Sequence, residues 1–70
     1  MTGRITGIID CGSVVQFFIR TGRGRNARTV VAAGDGNMTR RALAESEVRK
    51  GDRISFALTD WGGLAGFTPL

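Results

Sequence analysis

Histidine and tyrosine are absent from the chain, and the only cysteine is Cys11. Without histidine and with a single sulfur, a zinc site of the usual Cys/His kind is excluded. One cysteine forms no intrachain disulfide, and a lone thiol fits a reducing, cytoplasmic setting. The N-terminal MTGRITGIID lacks the basic start and apolar stretch of a signal peptide. No apolar run approaches the roughly 20 residues needed to cross a bilayer, so no membrane role is expected. The chain is short of catalytic side chains too, because general acid–base work needs a histidine or a carboxylate tuned by its surroundings. Asp10, Asp35, Asp52 and Asp60 each border a Gly- or Ser-containing turn or loop, where aspartate bonds to nearby amides. Cys11 follows Asp10, which stabilises no thiolate. A non-enzymatic protein without metal or cofactor is expected.

What is present is arginine. Of ten basic residues nine are arginine, against six acids, giving a net charge of +4. Arg20, Arg23, Arg25 and Arg28 fall within one acid-free stretch, and TGRGRNAR spaces the last three with glycine. The planar guanidinium fork suits phosphates and base edges. GRGR lacks the Lys-Ser/Thr ending of a phosphate-binding P-loop, and no helix follows it directly. Arginines on a bending hairpin instead meet a nucleic-acid backbone one phosphate at a time, releasing counterions.

Seventy residues make one domain, residues 1–70, with a core thin enough that a homodimer or higher oligomer is in view. RITGII, residues 4–9, reads as a first strand, with Gly7 inside it marking a bulge. The turn DCGS leads to VVQFFIR, in which Val15, Phe17 and Ile19 take one face and Val14, Gln16, Phe18 and Arg20 the other. The first set is wholly apolar, as core requires; the second mixes an aromatic, an amide and an arginine, as a recognition face would. RTVVAA is a third strand, stopped by GDGN. A helix is expected over TRRALAESEV, residues 39–48, with Thr39 as N-cap, Met38 stapled onto Leu43 and Gly51 suited to a left-handed cap. Within and beside it, Glu45 is placed to pair with Arg41 or Arg49. RISFALT alternates Ile54, Phe56 and Leu58 inward, and LAGFTP closes the chain after the turn DWGG.

The order is β-β-β-α-β-β, an all-β domain with a small α contribution. VRKGDRISFALTDWGGLAG, residues 48–66, carries a Gly-Asp lead-in to the fourth strand, a loop and a glycine-containing fifth strand. In this the chain resembles the minimal OB-fold nucleic-acid-binding proteins, among them small initiation-factor and S1-type domains and single-stranded DNA-binding proteins. The resemblance implies a five-stranded Greek-key barrel whose second and third strands floor a ligand groove. On that floor would lie Gln16, Phe18 and Arg20, with Arg28 and Val30 beside them. Arg23 and Arg25 would reach over from the joining loop, and Arg53 and Trp61 would approach from the fourth strand and the loop after it.

The expected function is largely sequence-independent binding of single-stranded DNA or RNA, through arginine–phosphate contacts and stacking of bases on aromatic rings. Two alternatives stand beside it. One is an assembly module, a homo-oligomer joined through Val14, Phe18 and Trp61 with arginines keeping it soluble. The other is an SH3-like duplex-DNA binder, which requires the helical segment to be a turn or a terminal cap.

Overall fold

The computed structural model describes residues 1–70, as five strands and one α-helix. The strands are β1 (Thr2–Asp10), β2 (Val14–Thr21), β3 (Arg28–Asp35), β4 (Arg53–Leu58) and β5 (Leu64–Pro69), with α1 (Gly36–Ser46) between β3 and β4. All pairings are antiparallel, in the order β3-β2-β1-β4-β5, so the first strand sits at the centre of a single sheet. The sheet is open: β3 and β5 are its two edges and share no ladder. It is nonetheless curled, because the edges approach side by side. A Cβ added to Gly34 of β3 would stand 3.5 Å from the Leu64 Cβ of β5, and one on Gly63 would stand 3.2 Å from the Ala33 carbonyl oxygen.

The curl has a local cause in β1. Its register against β2 slips between Ile5 and Gly7, leaving Thr6 as the extra residue of a bulge. A bulge bends its strand and increases its twist. The Thr6 hydroxyl donates to the Phe18 carbonyl oxygen across the bulge at 3.2 Å. Gly7 then lies under the Phe18 ring, which would stand 3.4 Å from any Cβ placed there.

Inside the curl, alternation fills the core as the sequence predicts. Ile5, Val15, Phe17, Ile19, Ile54 and Phe56 are buried, with Val48 closing the cluster from the segment after the helix. Leu58, Leu64 and Phe67 pack against them, and the Phe67 ring meets Phe17 at a centroid distance of 5.1 Å in a tilted arrangement.

The helix differs from its sequence expectation at both ends. It starts three residues earlier, capped by Asp35, whose carboxylate accepts from the Met38 amide at 2.9 Å. An aspartate that reads as a turn residue is thus an N-cap, which it is equally suited to be. Thr39 lies inside the helix and is buried, while Met38 is 74% exposed and staples nothing. At the other end Glu47 takes the left-handed conformation (φ 58°), and its amide donates to the Leu43 carbonyl. Gly51 is also left-handed (φ 98°), but in the turn leading into β4, where its amide donates to the Ile5 carbonyl at 2.7 Å. The helix packs against β2, β3 and β5, and it is neither long nor apolar enough to cross a membrane.

Candidate nucleic-acid interface

Pairing registers fix which side chains share the outer face of the sheet. Arg53 of β4 stands opposite Arg4 of β1, and Arg4 stands opposite Arg20 of β2. Three arginines therefore form one row across three adjacent strands, at strand spacings of about 4.8 Å. Thr29 of β3 continues the row beyond Arg20. The next row contains Gly7, Phe18 and Val31, and the one after it Ile9, Gln16 and Ala33. Ile9 and Val31 are exposed and Phe18 is half-buried, so an apolar patch adjoins the arginine row.

The arginine row opens into a groove of about 450 Å³ lined by Thr2, Gly3, Arg4, Arg20, Gly22, Arg23 and Arg53. Neither an acidic nor an apolar side chain lines it. Two of its residues have to be glycine. A Cβ on Gly3 would fall 2.7 Å from the Arg20 carbonyl oxygen, and one on Gly22, itself left-handed at φ 80°, 2.6 Å from that of Asn26. Arg4 is tethered at the groove edge, its guanidinium donating to the Gly51 carbonyl at 3.2 Å. None of the four arginines is ion-paired; the chain's one ion pair joins Arg40 to Asp10 at 2.8 Å on the far side of the β1–β2 turn. The same Arg40 holds the Gly12 carbonyl and the Asn37 side chain, each at 2.9 Å, and so locks that turn to the start of the helix. Glu45 forms no ion pair with Arg41 or Arg49.

The residues singled out in the sequence thus separate into groups. Arg20, Arg23 and Arg53 come together in the groove, joined by Arg4, the first residue of the RITGII run, which the sequence alone does not link to them. Phe18 and Gln16 lie on the same face, one and two rows further along β2. Arg25 sits outside the groove lining, in the single 3-10 turn Gly24–Asn26. Arg28 pairs with Thr21, and Val30 with Ile19, which puts both on the core-side parity of β3. Val31, not Val30, therefore neighbours Phe18, and Arg28 emerges beside the floor rather than on it.

Trp61 is 95% exposed at the tip of the β4–β5 loop. That loop is well tied: the Thr59 amide donates to the Gly63 carbonyl at 2.8 Å, and the Gly63 amide to the Thr59 hydroxyl at 3.0 Å. Its base lies alongside Ala33 of β3, on the opposite side of the apolar patch from the arginine row. An indole held in water by an ordered loop contributes nothing to the core, so its ring is free to meet a flat partner. Compared with protein-family models, with curated proteins and with solved structures, the chain matches none.

Proposed function

We propose that the chain is a non-enzymatic, OB-like barrel that binds single-stranded nucleic acid with little regard to sequence. The observation that carries this reading is the acid-free row of Arg53, Arg4 and Arg20 beside a face bearing Phe18. Phosphates would meet the arginines, each contact releasing counterions. Bases would stack on Phe18 and Trp61, for about 1–3 kcal/mol per base. Stacking accepts any base.

The barrel reading has its own support. A central first strand pairs with both the second and the fourth, a helix joins the third to the fourth, and the two edges curl toward each other. An OB-fold is a partly open Greek-key barrel of five strands, with its second and third strands and the loop before the last strand as ligand surface. An eleven-residue helix in mid-chain disfavours the SH3-like alternative.

Titration with short poly-pyrimidine DNA and RNA and a duplex control, followed by Trp61 emission with light scattering for mass, tests the reading. Saturable quenching by single strands that weakens steeply with salt is expected. No response at low salt, with the mass of a dimer or larger, would assign the same aromatics to an assembly surface and overturn it.

A further inference from the structure

We propose that the arginine groove is a site for a terminal phosphate, so that the protein grips the phosphorylated end of a strand in preference to points along it. The strand part of this inference rests on the single-strand reading; the anion site stands without it.

Charge is the first argument. Four guanidinium-bearing side chains line one concavity with no carboxylate among them. The β-ladder holds three of them in register, so their strands cannot separate to relieve the repulsion. An internal phosphodiester brings a single negative charge. A phosphomonoester brings about −1.5 to −2 at neutral pH and three acceptor oxygens, and a di- or triphosphate brings more. Each guanidinium has five N–H donors in a fixed fork, so the donor supply matches the more highly charged group.

The second argument is what the groove lacks. Ligand sites that hold a nucleobase or sugar are lined mostly by hydrophobic and aromatic side chains, and no such side chain lines this groove. An internal nucleotide lying in it would have only guanidinium planes to stack on, and those planes are the groups its phosphate needs. A terminal phosphate needs nothing to stack on.

The third argument is placement. Phe18 is two residues along β2 from Arg20 on the same face, a distance of about 7 Å. A strand anchored by its end phosphate between Arg53, Arg4 and Arg20 would lay its first base toward Phe18 and Val31. The groove and the stacking patch then act in sequence along one strand.

The test compares oligonucleotides of one sequence bearing 5′-phosphate, 3′-phosphate, 5′-triphosphate or only hydroxyl ends, with inorganic tripolyphosphate as the free anion. Affinities are measured by anisotropy, or by calorimetry for tripolyphosphate. A strand with one phosphorylated end is expected to bind about tenfold tighter than its hydroxyl counterpart, through added charge-assisted hydrogen bonds. That ratio should fall to near one in Arg4→Gln and Arg53→Gln, and persist in Arg41→Gln on the helix. Equal affinity for all ends would overturn the terminal-phosphate site while leaving single-strand binding intact. Binding of tripolyphosphate but of no oligonucleotide would retain the anion site and overturn the strand reading. Binding of neither would overturn both.

Discussion

Replacing Arg4 by glutamine should make the protein more stable in dilute salt and not in concentrated salt. Arg4 faces like charge on both sides, from Arg53 on β4 and Arg20 on β1's other neighbour, β2. Two full charges held at about 5 Å in water repel by about 0.8 kcal/mol. Long side chains splay apart, and like charges facing across strands cost roughly 0.2–1 kcal/mol per pair. Two pairs therefore amount to about 1 kcal/mol. Against this, the variant loses the exposed hydrogen bond to the Gly51 carbonyl, worth about 0.5 kcal/mol. The balance at low ionic strength is about 0.5 kcal/mol in favour of the variant, or roughly 2–4 °C in Tm for a domain of this size. At about 1 M salt the screening length falls to about 3 Å and the repulsion disappears, whereas the lost hydrogen bond does not. Melts followed by circular dichroism at about 10 mM and about 1 M sodium chloride read both limits. The variant should melt higher in the first and level with or below the parent in the second. A variant equally destabilised at both concentrations would refute the reasoning, and would mean that Arg4 serves the fold through its stem rather than straining it.

Three further substitutions separate fold from surface. Trp61→Ala should leave stability within about 0.5 kcal/mol, since the ring touches little, yet weaken single-strand binding by about 1–3 kcal/mol; melts and anisotropy measure the two effects. Gly3→Ala should cost about 1–3 kcal/mol in denaturant titration because its methyl meets a ladder carbonyl, while Gly66→Ala, with open space around its Cα, should be neutral or slightly stabilising. Asp35→Ala should lower stability by about 1 kcal/mol through loss of the helix cap, and Asp35→Ser should restore most of it.

Much of this fold is legible in the sequence, where the physical signal is local. β2 and β4 each place large apolar side chains at every second position, and the buried set Val15, Phe17, Ile19, Ile54 and Phe56 follows. Gly7 marks the bulge as the one glycine in a β-branched run, and the register slip falls directly before it. Other features depend on partners distant in the chain. GDGN reads as a turn until Gly36 is seen packed on Gly12 and Ser13, with Asp35 bonding into the helix behind it. The parity of β3 is set by the number of residues in the arginine loop and by the 3-10 turn within it, so Val30 and Val31 exchange faces without any local sign.

The arginine site shows the same division. Arg20, Arg23 and Arg53 were visible as charges on strands and loops, but Arg4 joins them only because the first strand pairs with the second on one side and the fourth on the other. The bulge hides it further, since the extra residue at Thr6 shifts the alternation, so that Arg4 shares its face with Gly7 and Ile9 rather than with Thr6 and Ile8. Cross-strand neighbours are the unit of a sheet's surface, and a single strand does not reveal them.

The most direct test of single-strand binding through the arginine groove is its salt dependence. Affinity for a short poly-pyrimidine would be measured from about 50 mM to about 200 mM salt and plotted as log K against log salt. For a strand with hydroxyl ends, four phosphate contacts, at Arg4, Arg20, Arg23 and Arg53, correspond to a slope of about −3. That slope, falling in magnitude by about 0.7 when Arg53 is replaced by glutamine, is the expected result. A slope near zero, or one that the Arg53 substitution leaves unchanged, would contradict it.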